Sequence, residues 1–259
     1  MKNKRTFSPL MFTLVMIFFY LPLAILVIFS FNHSKTMSWG GFSLKWYQEL
    51  FFNSQSLWSS VLNSLIIALS SATLSTLIGT LGAIGIYWYN FRLKKILQVA
   101  TFLPLILPEI IIGVSLLIFF SGIKLKLSLF TIFLAHTTFN IPFVLLIVMA
   151  RLEEFDFSVI EAAYDLGARE IDALLKVIIP ISFPGILSGF LMAVTLSLED
   201  FVITFFVAGP GSSTLPLHVY SMIRFGVSPV INALSVVIIA ATVLLALSTK
   251  NIYKYIIQK

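Results

Sequence analysis

The sequence has no cysteine and few charged residues for its length. Asp, Glu, Lys and Arg together make up only 11% of its 259 residues, whereas soluble domains usually contain about 25%. The absence of cysteine excludes disulfides, thiolate chemistry and zinc sites built on cysteine. The chain is 59% hydrophobic with a mean hydropathy of +1.02, so a soluble fold would have too little polar surface to cover its core. The composition therefore indicates an integral membrane protein.

The chain also lacks the motifs of common catalytic and binding sites. It contains no Gly-x-x-x-x-Gly-Lys-Ser/Thr run, which excludes a P-loop. It shows no Ser/His/Asp arrangement and no cluster with metal-ligand spacing, and we expect His136 and His218 to be structural. The net charge of +6 is spread between apolar runs rather than gathered in one basic patch, so nucleic-acid binding is not predicted. We therefore predict that the chain is not an enzyme.

Six apolar runs are long enough to cross a bilayer, which takes about 20 helical residues. The first run exceeds the roughly 7–15 apolar residues of a signal-peptide core and is followed by no clear cleavage site, so we interpret it as a retained helix. The sequence predicts an all-α membrane protein with one domain, residues 1–259. The six predicted transmembrane helices are 9–31, 60–89, 99–120, 128–150, 185–207 and 230–249.

The distribution of basic residues predicts the orientation of these helices. With the N-terminus inside, twelve Lys and Arg residues lie in cytoplasmic segments and five in outer loops, which favours cytoplasmic N- and C-termini. Residues 151–184 then form a cytoplasmic loop between the fourth and fifth spans. This loop holds seven of the eleven acidic residues of the chain, and so it is the most polar segment of a mostly apolar protein.

The second predicted span has a small residue at every fourth position. These residues are Ser71, Ser75, Gly79 and Ala83. Such a stripe lets another helix approach closely, because lipid supplies little hydrophobic drive for helix association. The partner helix belongs either to another subunit or gate, or to the same subunit, and the sequence leaves both alternatives open.

The cytoplasmic loop has the pattern of two short helices joined by a bend. Residues 158–161 form a Ser-x-x-Glu capping box at the predicted start of the first helix. Gly167 stands where the helix C-terminus favours a left-handed residue. Apolar residues at helical spacing over 171–178 predict the second helix, and Pro180 and Pro184 are expected to break the chain after it. The apolar faces of both helices need cover, either from the inner ends of this protein's own helices or from a cytoplasmic partner.

The loop sequence EAAYDLGAREIDALLKVIIP, residues 161–180, resembles the EAA loop of permeases in binding-protein-dependent ABC importers. The family pattern is Glu-Ala-Ala, three residues, Gly, nine residues and then Ile-x-Leu-Pro. Val177 and Ile179 replace the Ile and Leu of that pattern. The resemblance implies that the loop forms a coupling helix, which inserts into a groove on a separate ATP-hydrolysing subunit. The identical positions, and hence the expected ATPase-coupling residues, are Glu161, Ala162, Ala163, Gly167 and Pro180.

Three more runs resemble the PotC-type permeases of spermidine/putrescine importers. They are LPLILPEIIIGVSLL (103–117), SLEDFVITFFVAGPG (197–211) and LPLHVYSMIRFGVSPVINALS (215–235). These runs are less specific than the EAA loop, because permeases for other ligands share similar ones. They imply polyamines as the transported solute.

The resemblance implies an architecture and a set of partners. The architecture is that of a type I ABC importer permease (MetI-like), a multi-pass protein of the bacterial inner membrane. No cofactor is expected in this chain, since ATP and Mg belong to the partner ATPase. The expected partners are membrane lipid, a homodimeric ATP-binding subunit, a second homologous permease subunit, and a periplasmic or surface-tethered polyamine-binding protein.

Three acidic residues fall inside predicted spans. Glu109 lies about ten residues into the third span, about 15 Å deep at the rise of an α-helix. Glu199 and Asp200 lie in the fifth span, nearer its outer side. Such acids are costly unless hydrated, paired or protonated, and no Lys or Arg lies at matching depth, so pairing within the chain is not expected. A water-filled path for a cation would account for all three. The alternatives are protonation, bonds to backbone freed by nearby prolines, and pairing with a partner subunit.

Two other functions stay open at this point. One is an ABC permease for another small solute, since the delivering protein largely determines the choice of ligand. The other is a secondary transporter or channel. That class usually shows internal repeats, and the sequence contains no convincing one. It also has no need of an EAA-type loop.

Overall fold

The computed structural model describes residues 4–36, 38–154, 156, 158–225 and 228–257. Within these residues the regular structure is helical, apart from one isolated β-bridge between Asn32 and Phe42. The all-α prediction is therefore confirmed. The α-helices are α1 (Lys4–Ser30), α2 (Lys45–Gln48), α3 (Gln55–Trp88), α4 (Lys94–Ile106), α5 (Glu109–Gly122), α6 (Leu129–Glu153), α7 (Ser158–Asp165), α8 (Glu170–Ala173), α9 (Ile179–Glu199), α10 (Val202–Val207), α11 (Leu215–Phe225) and α12 (Val230–Ile257). Two π-helical turns, Glu49–Asn53 and Leu174–Ile178, follow α2 and α8.

The chain divides into two compact units, residues 1–56 with 219–259, and residues 57–218. In the first unit α1 packs on α12, and Asn32 organises the segment after α1. The amide oxygen of Asn32 accepts a hydrogen bond from the backbone N–H of Gly40 (2.7 Å), and the buried Trp46 donates its ring N–H to the backbone carbonyl of Asn32 (2.6 Å). The prediction of a single permease domain over 1–259 stays a prediction.

The second unit is built around the pairing of α6 with α9. Glycines on α9 let the two backbones come close. A Cβ added to Gly185 would lie 2.6 Å from the Cβ of Arg151, and one added to Gly189 would lie 3.2 Å from the Cγ1 of Val144. Without a side chain at these positions, α9 can pack against α6 at a short distance.

The small-residue stripe of α3 is buried inside this same unit. Ser71, Ser75, Gly79 and Ala83 are all buried, and a Cβ on Gly79 would lie 2.8 Å from the Cγ1 of Val144 on α6. Of the two alternatives left open by the sequence, packing within the subunit is therefore confirmed.

We expect Gly79→Ala to destabilise the second unit by about 1–3 kcal/mol, the usual cost of overpacking. The added methyl would contact Val144 at 2.8 Å and the backbone carbonyl oxygen of Ile141 at 3.2 Å. The matched control is Gly85→Ala on the same helix, where nothing lies within 4 Å of an added Cβ and helix propensity favours alanine. Thermal unfolding of the purified protein in detergent checks the prediction. Equal melting temperatures for the two variants would contradict it.

The third predicted span, 99–120, is not one straight helix. It consists of α4 and α5, whose axes are bent by 109° at a short break. Pro108 explains the break. A proline disfavours helical geometry at the residue before it, and Leu107 is accordingly extended (φ −70°, ψ 137°).

The fifth predicted span, 185–207, is displaced and also broken. Helical structure runs without interruption from Glu170 to Glu199, so the expected break at Pro180 and Pro184 was wrong. Pro180 lies in the first turn of α9, directly after the π-helical turn. A proline is tolerated there, because the wider turn absorbs the loss of its N–H. The chain breaks instead at Asp200, before α10.

Four helices of the described chain are long and apolar enough to cross a membrane, or five when the bent pair α4 and α5 counts as one span. The four are Pro9–Ser30, Gln55–Trp88, Leu129–Glu153 and Glu170–Glu199. In the last helix, α12, the apolar run Val230–Leu244 is shorter. The count of six spans and the cytoplasmic placement of both termini stay predictions.

Candidate functional site

Helix α7, in the predicted cytoplasmic loop, begins differently from the predicted capping box. Ser158 is already the first residue of the helix, and the cap is the carboxylate of Asp156, which accepts the backbone N–H of Ser158 at 3.0 Å. These hydrogen bonds from the Ser158 backbone and hydroxyl lower the pKa of Asp156. The stabilisation from this cap is therefore present above the ordinary pKa of aspartate and is lost as the pH falls through the lowered value.

The end of α7 confirms the prediction made for Gly167. Its φ is +85°, in the left-handed region that glycine adopts without a steric penalty. The N–H of Gly167 donates to the carbonyl of Tyr164 (2.8 Å), and the N–H of Ala168 donates to that of Ala163 (3.0 Å). This pair of bonds is a Schellman motif, which closes the helix and turns the chain towards α8.

One side of α7 is anchored and the other is open. Ile160 is 1% exposed and belongs to the apolar core formed with α3, α6 and α9. By contrast, Leu166, directly after the last residue of α7, is 89% exposed, Val159 is 44% exposed, and Ala162 is also exposed. The described residues thus cover the Ile160 side only, and α7 presents small and apolar residues at its surface.

The segment after Gly167 joins α7 to the long helix that contains α9. Pro180, the last residue of the EAA-type pattern, lies within that helix rather than in a separating loop. The hydroxyl of Tyr89 at the end of α3 donates to the Glu170 carboxylate (2.7 Å), and this bond raises the pKa of Tyr89. Lys176 donates to Asp172, one turn earlier in the same helical segment, at 2.7 Å. The bond from Tyr89 to Glu170 therefore joins the loop to the end of α3.

The structure brings the three predicted path acids together. Glu109 is the first residue of α5, where the helix dipole favours a negative charge, so it is not in the middle of a straight span as expected. Because α5 packs on α10, Glu109 lies in the same region as Glu199 and Asp200 and interacts electrostatically with both. Glu109 and Glu199 are exposed, whereas Asp200 is buried at 8% exposure.

Asp200 has partners inside the chain, so the expectation that it lacks them was wrong. Its carboxylate accepts the backbone N–H groups of Ile203 (3.1 Å) and Thr204 (2.9 Å) and the hydroxyl of Thr204 (2.7 Å). The ring of His136 on α6 lies 3.1 Å from the same carboxylate. Asp200 thus caps α10, and its charge is satisfied by the protein itself.

Sequence reasoning missed the other members of this network, Ser197 and Thr204. The spacing Ser-x-x-Asp-x-x-x-Thr places Ser197, Asp200 and Thr204 on one face, on either side of the helix break. The signal available in the sequence was Asp200 before an apolar run, a common N-cap pattern. The signal was missed because the hydropathy pattern predicts one continuous span, 185–207, across the break. Among the described residues, no group of three His, Asp or Glu side chains could hold a metal ion.

Comparison with known proteins shows the same family along most of the chain. Residues 75–259 match the family "Binding-protein-dependent transport system inner membrane component". The spermidine/putrescine transport system permease protein PotC of Escherichia coli K12 is 38% identical over 241 residues, 93% of this chain and 91% of that protein. PotC of Haemophilus influenzae is 39% identical over 236 residues, 91% of each chain. The putrescine transport system permease protein PotI of Escherichia coli K12 is 40% identical over 232 residues, 86% of this chain and 82% of that protein.

A solved structure gives the same fold. A bacterial ABC transporter involved in the import of the acidic polysaccharide alginate contains a chain that superposes with a TM-score of 0.69. The match covers 94% of this chain and 97% of that one, at 16% identity, so it supports the fold alone. The ATPase activity of such transporters lies in a separate subunit. The chain therefore belongs to the inner-membrane permease family of binding-protein-dependent ABC importers, and it is a multi-pass transport subunit rather than an enzyme.

Proposed function

We propose that the chain forms part of the translocation path for polyamines of the spermidine and putrescine type. The observation that carries this proposal is that Glu109 begins α5 and Glu199 ends α9, and the packing of α5 on α10 brings these two helix ends into one region. Both carboxylates are exposed in a strongly apolar part of the sequence, and neither has an ion-pair partner among the described residues. A polyamine supplies several ammonium groups on a flexible alkyl chain, and so it can neutralise both acids at once.

The names of the relatives agree with this choice of solute. The three relatives compared above are named as permease proteins of spermidine/putrescine or putrescine transport systems. Since Asp200 is held by the chain itself, we assign it to the support of the path and the two glutamates to contact with the cation.

We propose that a homodimeric ATP-binding subunit drives the path through the loop that contains α7. The exposed surface of α7 supports this, because Leu166 and Ala162 are available to a partner while Ile160 holds the helix on its own bundle. Glu161, Ala162, Ala163, Gly167 and Pro180 are the proposed coupling residues. A second homologous permease would complete the path, with six spans in this chain and both termini in the cytoplasm. A periplasmic or surface-tethered binding protein would deliver the polyamine.

The test is transport by the complete complex in proteoliposomes. We expect uptake of labelled spermidine that requires both internal ATP and the binding protein, and that excess unlabelled putrescine inhibits. A neutral sugar and an acidic oligosaccharide serve as competitors that should have no effect. Uptake that either of these inhibits equally well would contradict a polyamine path. Uptake driven by an ion gradient without ATP would indicate a secondary transporter.

A further inference from the structure

We infer that His136 is a positioning residue, which clamps the break between α9 and α10 and thereby sets the geometry of the Glu109 and Glu199 pair. The inference rests on the proposed cation path. His136 is 2% exposed, lies in the first third of α6, and has no direct part in the path itself. The hydrogen bonds made by its ring indicate its role.

The imidazole bonds to residues on both sides of the break. Its Nδ1 lies 2.7 Å from the hydroxyl of Ser197, which is in the last turn of α9. Its Nε2 lies 3.1 Å from Asp200 at the break and 2.9 Å from the hydroxyl of Thr204 in α10. One ring on α6 therefore ties together the end of one helix and the start of the next.

The directions of these bonds are mutually consistent. With the hydrogen on Nε2, the ring donates to the Asp200 carboxylate and accepts the Ser197 hydroxyl at Nδ1. Ser71 on α3 in turn donates to Ser197 at 3.4 Å. The five side chains of this network are all buried: Ser71, His136, Ser197, Asp200 and Thr204. Since buried polar networks are costly when they are incomplete, this one has a single well-defined arrangement.

The break needs such a clamp because its sequence contains no glycine or proline. The backbone of Asp200 is extended (φ −64°, ψ 123°), and its side chain replaces the helical hydrogen bonds by accepting the N–H groups of Ile203 and Thr204. The position of the Asp200 carboxylate therefore sets where α10 begins. His136 holds the carboxylate oxygen that also receives the Thr204 bonds.

The clamp reaches both path glutamates. Glu199 immediately precedes the break, so its direction depends on the geometry of the last turn of α9. Glu109 is reached through packing, because α10 packs closely on α5. A Cβ on Gly113, one turn after Glu109, would lie 2.8 Å from the Phe206 ring and 3.3 Å from the Cα of Ile203. A shift of α10 would therefore move α5 and the glutamate at its start.

Two substitutions of His136 separate positioning from general stability. The amide of His136→Gln can reach the place of Nε2 and keep the bond to Asp200, whereas the shorter His136→Asn reaches only the place of Nδ1. In the complete reconstituted complex, we expect His136→Asn to raise the KM for spermidine by about 10-fold or more, the effect of a lost bond to a charged group. We expect His136→Gln to restore KM to within about 3-fold of the original, with basal ATP hydrolysis unchanged in both. The exposed His33, changed to Gln, is the matched control.

A second variant keeps the test decisive if His136→Asn does not assemble. Thr204→Val preserves shape but removes the hydroxyl that donates to Asp200, and we expect a KM increase of the same sign. If assembled His136→Asn or Thr204→Val transports with an unaltered KM, or if Asn and Gln at 136 raise KM equally, His136 has no positioning role.

A different result would show that the proposed cation path is wrong. Glu109→Gln and Glu199→Gln would then both leave the KM for spermidine unchanged. If these two variants raise KM while the His136 and Thr204 variants do not, the path stands and only the positioning role is wrong.

Discussion

Leu166→Asp is expected to abolish ATP-driven uptake while leaving the permease folded in the membrane. Leu166 is 89% exposed, so the substitution removes no internal packing. If a partner covers it, burial of a leucine contributes about 1.5–3 kcal/mol, and burial of an unpaired carboxylate in its place costs several kcal/mol more. We expect the affinity for the ATPase subunit to fall by about 100-fold or more.

Co-purification and transport assays measure this effect directly. Leu166→Met keeps an apolar side chain of similar volume and is the matched control, for which we expect close to full activity. Glu161→Lys reverses a charge on α7, five residues before Leu166, and should also reduce uptake, with normal permease abundance. The docking role of α7 would be refuted if the Asp variant still retained the ATPase on purification and supported undiminished uptake.

The geometry of α7 could be predicted from the sequence because its determinants are local. Gly167 stops the helix through its own φ of +85°, and the N–H groups of Gly167 and Ala168 bond to the nearby carbonyls of Tyr164 and Ala163. The prediction placed the cap at Ser158, but the capping residue is Asp156, two positions earlier. Helix ends are uncertain by about one or two residues. The exposure of Leu166 depends on what the rest of the fold covers, and no local pattern gives that.

The helix breaks at Pro108 and Asp200 show a second limit of prediction from sequence. Hydropathy averages over a window and gives the same value to a straight helix and to two pieces bent by 109°. Pro108 was visible as a local signal. The role of Asp200 was not, because His136 lies 64 positions earlier in the chain and only the packing of α6 on α9 brings the two together. Without that contact, a buried aspartate looks like an unpaired charge that needs a cation.

We expect the combined change of Glu109 and Glu199 to Gln to raise the KM for spermidine by about 100-fold or more. Each carboxylate can make a charge-assisted bond to an ammonium group, worth about 1.5–3 kcal/mol, and each loss corresponds to a factor of about 10 or more. Both side chains are exposed, and the isosteric amides keep their shape, so folding and basal ATP hydrolysis should be preserved. Concentration-dependent uptake in proteoliposomes measures the effect. Glu153→Gln, an exposed acid at the end of α6, is the control.

We expect Asp200→Asn to affect stability rather than the KM alone, unlike the changes of Glu109 and Glu199 to Gln. This contrast distinguishes residues that contact the cation from a residue that supports the path. The Asp200 carboxylate receives donors at both oxygens, from Ile203 at one and from Thr204 and His136 at the other. An amide must point its NH₂ group at one of these sets of donors, which leaves buried groups unsatisfied at about 1–3 kcal/mol each. We therefore expect reduced abundance and a lower melting temperature for Asp200→Asn. A stable Asp200→Asn protein with an unchanged melting temperature and an unchanged KM for spermidine would contradict the supporting role of Asp200. Unchanged uptake by the double glutamine variant would mean that the cation crosses elsewhere.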